Sequence, residues 1–324
     1  MTEKGKNCLL AIGIVAVAFL SLPGSAQVIS SSTQHKSSGQ RSRDSRQSIL
    51  VDVKMVLVDV TVTHADGSSV TSLEKGSFHV FENGIEQEIL SFSREDVPIS
   101  IGLIFDMSGS MADKLDESRQ AALEFLKTAN PRDEFFLVNF NDRAELTSPF
   151  TFDIEEVRKS IMSGTPRGRT ALMDAIYLGL SQMKGARNSK HALLVISDGG
   201  DNHSRYSKTQ VRNALKEADC SLYAIGIFRF KDILRSMEEL QGPGLLSELA
   251  EITGARMVRV SRLDDLPDIA ANIAMELRNR YVLGYKPSDA RHDGTWRRIK
   301  VKVVPPANLR PLNVYARTGY YSPN

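Results

Sequence analysis

Asp106, Ser108 and Ser110 alternate along the loop Asp106-Met107-Ser108-Gly109-Ser110, directly after the continuous apolar run Ile99 to Phe105. A spacing of two turns both serine hydroxyls inward from one tight loop, and Gly109 between them lets the backbone bend. Two further segments carry related chemistry. Asp198-Gly199-Gly200-Asp201 follows the apolar run His191 to Ser197, and Thr170 follows the loop Gly164-Thr165-Pro166-Arg167-Gly168. Asp106, Ser108, Ser110, Thr170 and Asp198 together offer five oxygen-bearing side chains, of which two are carboxylates. A hard cation such as Mg²⁺ takes about six oxygen ligands and keeps some waters. With only two carboxylates and several neutral oxygens the ion stays net positive, and it then accepts a carboxylate from outside. A capped turn explains each segment alone, because Asp, Ser and Thr bond local backbone at helix starts. It explains poorly why three such segments fall at one sheet edge.

The elements that must hold these residues are legible in the hydrophobic period. Ile99 to Phe105 reads as a central parallel strand buried on both faces. Helical spacing follows over Ala112 to Ala129, then a strand at Phe135 to Phe140 and helices at Ile154 to Met162 and Ala171 to Met183. The series continues with strand His191 to Ser197, helix Lys208 to Ala218, strand Leu222 to Phe228, helix Leu245 to Ile252, strand Arg256 to Val260 and helix Asp264 to Arg280. This alternation predicts an α/β fold with a Rossmann-like, doubly wound, mostly parallel sheet. Ligands of such sheets bind outside the carboxyl ends of the strands, where all three segments fall. Lys231 to Gly244 interrupts the rhythm as a charged, helix-like insertion ending in Gly242-Pro243-Gly244. It reads as a solvated rim, with a partner-contacting loop as the alternative.

Both ends of the chain change to a period of two. Val56, Val58, Val60 and Val62 share one parity, Asp66-Gly67 is a turn, and Phe78 to Phe81, Asn83-Gly84 and Ile85 to Phe92 read as a hairpin. The far end repeats the pattern in Tyr281 to Tyr285, Asp293-Gly294, Ile299 to Val303 and Val314 to Tyr321. Neither end has enough strands for a stable sheet. They are therefore expected to pair with each other as a small antiparallel β-sandwich around the inserted middle. The layout is a signal peptide at 1–26, a disordered linker at 27–47, a β-rich segment at 48–96, the α/β domain at 97–280 and a second β-rich segment at 281–324.

The signal peptide rests on Lys4 and Lys6, the apolar run Cys8 to Leu22, and Pro23 before the small residues Gly24-Ser25-Ala26. Cleavage after Ala26 leads to an exported chain, periplasmic or secreted, with no stable membrane insertion, because the run is shorter than the roughly 20 residues a spanning helix needs. Lys and Arg total 41 against 39 for Asp and Glu, so no global field selects nucleic acid as a partner. Function must come from a local site. Removal of the signal leaves Cys220 alone, which excludes an intrachain disulfide and reads as a small buried hydrophobe. The six histidines show no paired spacing for zinc, and Trp296 reads as a packing residue. Asp201, Asn202 and His203 read as water-facing loop residues, with a ligand-selecting rim as the alternative.

The DxSxS pattern at Asp106, Ser108 and Ser110, Thr170 within Gly168-Arg169-Thr170-Ala171-Leu172-Met173-Asp174-Ala175, and the Asp198-Gly199 pair resemble the metal-ion-dependent adhesion site of von Willebrand factor A domains. The resemblance covers roughly Pro98 to Arg280. With its flanks, the mature chain also resembles the exported, acidobacterial-type VWFA-related proteins. The resemblance implies an A domain that binds Mg²⁺, or Mn²⁺ or Ca²⁺, and uses it to bind a protein ligand presenting Asp or Glu. It implies direct coordination by Ser108 and Ser110, and direct or water-mediated coordination by Thr170. Asp106 and Asp198 would anchor metal-bound water or the metal itself. In related domains the final helix shifts on ligation; Asp264 to Arg280 holds that place.

Three other functions compete. A metal-dependent phosphohydrolase can use an aspartate after the first strand as nucleophile, but Ser108 stands where a second aspartate is expected, and no matching lysine is placed. A serine hydrolase lacks both the GxSxG surroundings and an assignable histidine. A structural module with a purely stabilising metal differs only in having no open coordination position. No catalytic residue is expected.

Overall fold

Alternating burial builds the two ends of the chain into one sandwich. The computed structural model describes residues 55–228, 237–260, 262–289, 291–305 and 311–323, so the signal-peptide and linker assignments lie outside the described residues. Strand β1 (Val56–Thr63) buries Val58, Val60 and Val62. Strands β2 (Phe78–Glu82) and β3 (Ile85–Gln87) are joined by Asn83 and Gly84, whose φ angles of 49° and 88° are those of a primed hairpin turn. The single strand expected over Ile85 to Phe92 is two strands in the structure. The chain breaks at Glu88, and β4 (Ile89–Glu95) joins the opposite sheet.

The middle of the chain forms a six-stranded sheet. Its strands are β5 (Ile99–Asp106), β6 (Glu134–Phe140), β7 (Ala144–Thr151), β8 (Lys190–Ser197), β9 (Ser221–Ile227) and β10 (Met257–Val260), in the order β10-β9-β8-β5-β6-β7. Only β7 runs antiparallel. That edge strand has no counterpart in the sequence reading, because its burial is largely one of exposed positions without a clean alternation. Helices α1 (Leu115–Leu126), α2 (Ile154–Met162) and α6 (Leu266–Arg278) cover one face of the sheet. Helices α3 (Leu172–Met183), α4 (Lys208–Glu217) and α5 (Met237–Ile252) cover the other. Helix α5 begins earlier than expected and runs through Gly242-Pro243-Gly244.

The remaining strands return to the sandwich. They are β11 (Arg280–Tyr285), β12 (Trp296–Val303), β13 (Asn313–Ala316) and β14 (Gly319–Tyr321). One sheet has the order β13-β1-β11-β4 and the other β14-β12-β2-β3, so each interleaves strands from both ends of the chain. The run Val314 to Tyr321 therefore splits between two sheets. Tyr281 locks the two ends together. Its hydroxyl donates to Val70 O at 2.8 Å and accepts from Leu73 N at 3.0 Å. Buried Glu82 accepts from the hydroxyls of Tyr285 and Tyr320, at 2.7 and 3.0 Å.

Charged pairs fix the sandwich to the amino end of the parallel sheet. Asp59 on β1 meets Lys190 at the start of β8 at 3.0 Å and Arg280 at 3.4 Å, and Arg280 also donates to Ser221 Oγ at the start of β9 at 2.7 Å. The carboxyl ends of β5 and β8 point the other way and stay clear of the sandwich. No helix among the described residues is long and apolar enough to cross a membrane.

Candidate metal centre

The strand order reverses between β5 and β8, the point at which an open α/β sheet leaves a crevice at its carboxyl edge. Asp106 is the last residue of β5, and Ser197 the last of β8. Their side chains meet across that point, with Ser197 Oγ donating to Asp106 Oδ2 at 2.5 Å. The other carboxylate oxygen, Oδ1, accepts from Ser108 N at 2.9 Å. Asp106 is thus held rigidly and is fully buried. Burial, and then the charge of Asp198, push its carboxyl up to about 7, while hydrogen bonds from Ser108 and Ser197 pull the other way.

The two serines converge. Ser108 Oγ lies 3.2 Å from Ser110 Oγ, and neither caps the short helical turn Gly109–Met111. The capped-turn explanation therefore fails for the hydroxyls, although the Asp106 carboxylate does receive a local N–H.

Thr170 reaches the same edge by backbone docking. The loop before it is pinned to the serine loop by Arg167 N donating to Met107 O at 2.9 Å and Gly109 N donating to Gly168 O at 3.0 Å. Thr170 itself is clasped by Asn202. Thr170 N donates to Asn202 Oδ1 at 3.0 Å, while Asn202 N and His203 N both donate to Thr170 O at 3.0 Å. It is not the N-cap of α3, since Ala171 holds that position. The residue as a whole is buried, and its hydroxyl makes no hydrogen bond to a described residue. Asn202 and His203 are exposed, as expected of water-facing loop residues, whereas half-buried Asp201 bonds the start of α3: its Oδ1 accepts from Ser204 Oγ at 2.5 Å and Met173 N at 3.3 Å.

Asp198 lies beside the crevice with an unexpected partner. Lys114 Nζ donates to Asp198 Oδ2 at 2.8 Å, with the lysine side chain 1% and the aspartate 2% exposed. Asp198 Oδ1 accepts from Gly200 N at 3.3 Å. Removing one partner of a buried pair of this kind costs about 3–5 kcal/mol. The next residue, Gly199, has φ +78° and passes against Gly242 of α5, so that a Cβ on Gly199 would sit 2.5 Å from Gly242 O. Of the stretch expected as a solvated rim, Lys231 to Ser236 lies outside the described residues; Gln241 and Gly244 are exposed, while Gly242 between them is buried against the aspartate loop.

The residues present fit a hard divalent cation. Two carboxylates lie close enough to raise the proton affinity of Asp106, the serine hydroxyls converge, and the Thr170 hydroxyl makes no bond to a described group. Among the described residues no three His, Cys, Asp or Glu converge, so softer metals find no nitrogen and sulfur cluster. The sequence singles out neither Lys114 nor Ser197, and it offers Asn202 and Gly242 only through the alternative readings of a ligand-selecting rim and a partner-contacting loop. Ser197 was within reach, as a hydroxyl residue directly before Asp198. Nothing local marks Lys114.

The sequence profile of the von Willebrand factor type A domain matches residues 101–200, which span β5 to the Asp198-Gly199-Gly200 loop. These residues form a von Willebrand factor type A domain. Human inter-alpha-trypsin inhibitor heavy chain H3 is 28% identical over 136 residues, covering 37% of this chain and 15% of that protein. An uncharacterized protein of Borreliella burgdorferi is 28% identical over 184 residues, covering 50% of this chain and 53% of that one. The match therefore spans about half or less of these relatives' own length. A solved von Willebrand factor type A structure from Catenulispora acidiphila aligns with a TM-score of 0.48 at 10% identity, over 77% of this chain and 74% of that one. Within this A domain, β5 and β8 carry Asp106 and the segment leading to Asp198.

Proposed function

We propose that this chain is an exported, divalent-metal-dependent binding protein whose A domain captures an acidic group on a protein partner. Mg²⁺ is the intended ion, with Mn²⁺ or Ca²⁺ as substitutes. Ser108 and Ser110 hold it through their hydroxyls, Thr170 directly or through water, and Asp106 and Asp198 through carboxylate or through ordered water. The bound ion supplies a Lewis-acidic position that an Asp or Glu carboxylate of the partner completes. The carrying observation is the meeting of these segments at the reversal of strand order, with Ser197 bonded to Asp106 at 2.5 Å and the loop of Thr170 docked on that of Ser108.

Binding fits better than turnover. Ser108 occupies the place where a phosphohydrolase of this topology carries a second carboxylate, and the buried Lys114 is engaged with Asp198. The human relative is by name a heavy chain of an inhibitor, which accords with a role in binding. Export rests on the amino-terminal pattern Lys4 to Ala26.

Immobilised protein incubated with the extracellular fraction of its source provides the test. The expected result is a set of proteins retained in Mg²⁺, released by chelator and absent from an Asp106→Ala column. Retention that is identical in chelator and in Asp106→Ala sinks the reading. Metal-dependent cleavage of a phosphoester, lost in that variant, replaces it with the hydrolase.

A further inference from the structure

Lys114 is the feature of the site that the proposed function does not use. It stands just before α1, where its carbonyl accepts from Ser118 N at 2.9 Å and from Ser118 Oγ at 2.8 Å. The start of α1 is thereby fixed around it, and its four-carbon stem carries the ammonium inward to Asp198 Oδ2. A lysine 1% exposed has surrendered nearly all its hydration, so its contact with Asp198 is strong and directional.

We infer that Lys114 is the resident cation of this site, occupying Asp198 in the metal-free protein and competing with the divalent ion for it. The inference rests on the reading of Asp106, Ser108, Ser110, Thr170 and Asp198 as a metal site. Asp198 Oδ2 is engaged by the ammonium, and among the described residues Oδ1 receives only the Gly200 N–H at 3.3 Å. A divalent ion drawn to this carboxylate either displaces the ammonium or shares the carboxylate with it. Both routes weaken metal binding. Displacement costs the buried ion pair, and sharing places two cations a few ångströms apart in a medium of low dielectric.

The same arrangement has two consequences for function. The metal-free domain stays folded, because Asp198 keeps a counter-charge when no ion is bound. The loaded site also carries more positive charge than two carboxylates and one ion alone. Where the ammonium stays and shares the carboxylate, the three buried charged groups Asp106, Asp198 and Lys114 together with a divalent ion leave a formal surplus of one positive charge. A carboxylate arriving from a partner cancels that surplus. Metal and acidic partner then raise each other's affinity, as linkage requires. Lys114 thus makes the ion a weakly held one that the partner retains.

The test is calorimetric titration of Mg²⁺ into chelator-treated wild type, Lys114→Gln, Lys114→Arg and Asp106→Ala. Glutamine removes the charge and keeps an N–H donor on a side chain one atom shorter. Lys114→Gln is expected to bind Mg²⁺ about tenfold more tightly or better, a change of about 1.4 kcal/mol, whereas Lys114→Arg shows no such gain. If Lys114→Gln is poorly stable without metal, its melting temperature in Mg²⁺ against chelator replaces the titration. The expected rise then exceeds that of wild type. Sodium acetate, compared with chloride at equal ionic strength, is expected to tighten Mg²⁺ binding in wild type and less so in Lys114→Gln. Mg²⁺ binding that Asp106→Ala abolishes but Lys114→Gln leaves unchanged or weakens overturns the inference about Lys114 alone. No Mg²⁺ binding by any of the four proteins overturns the metal site itself.

Discussion

Gly199 and Gly242 pass one another so closely that a Cβ added to Gly242 would stand 2.3 Å from Asp198 O, and one added to Gly199 would stand 2.5 Å from Gly242 O. Helix α5 is therefore seated on the backbone of the aspartate loop and fixes its height at the crevice. Gly242→Ala forces the two apart. The expected cost is about 1–3 kcal/mol, as for other overpacked sites, read from denaturant unfolding in chelator. The same variant is expected to bind Mg²⁺ more weakly, because Asp198 moves with its carbonyl. Unchanged stability together with unchanged Mg²⁺ affinity contradicts the contact.

Asn202 touches no proposed ligand atom, yet it holds Thr170 through both its side-chain and its backbone bonds. Asn202→Ala leaves the Thr170 N–H without its acceptor, at a cost of about 0.5–1.5 kcal/mol. Its effect on Mg²⁺ is expected to be larger, about tenfold, as for other residues that orient ligands from behind. Titration calorimetry measures it; an affinity equal to wild type shows that Thr170 is positioned without Asn202.

Cys220 is buried on the α3, α4 and α5 side of the sheet, and burial pushes its thiol up to about 12. A raised acid keeps its proton in the folded chain after the unfolded chain has lost it. Its contribution to stability is therefore full below the ordinary thiol range and is lost as pH rises toward about 12. Iodoacetamide at neutral pH is expected to leave native Cys220 unmodified and to alkylate it fully in denaturant. Cys220→Ala is expected to flatten part of the alkaline fall in stability. Rapid alkylation of the native protein contradicts this account and points to an accessible thiolate.

What was legible in the sequence follows from how local each signal is. The continuous apolar run of β5 and the alternating valines of β1 are properties of neighbouring residues, so they survive without the rest of the fold. The strands that change sheets at Glu88 and at Arg317 were read as single runs, because a crossing keeps the alternation while only the partner changes. Strand β7 escaped because an exposed edge needs no apolar period. At the site, the loop Asp106 to Ser110 was readable from spacing, whereas Lys114 and Asp198, 84 residues apart, meet only in three dimensions. A lysine at the start of a helix is ordinarily solvated, and nothing in its neighbours announces that it turns inward. Gly242 is a related case: its flanking Pro and Gly suggest a loop, yet a close backbone approach requires that glycine.

We propose above all that Asp106, Ser108, Ser110, Thr170 and Asp198 form one divalent-metal site. Its most direct test is the melting temperature of chelator-treated protein as Mg²⁺ is added. An ion that binds the folded chain alone must raise that temperature as its concentration climbs past the dissociation constant. The account predicts a saturable rise for wild type and none for Asp106→Ala, with the latter still melting cooperatively. A wild-type curve that does not move under saturating Mg²⁺, Mn²⁺ or Ca²⁺, or one that moves equally in Asp106→Ala, contradicts it.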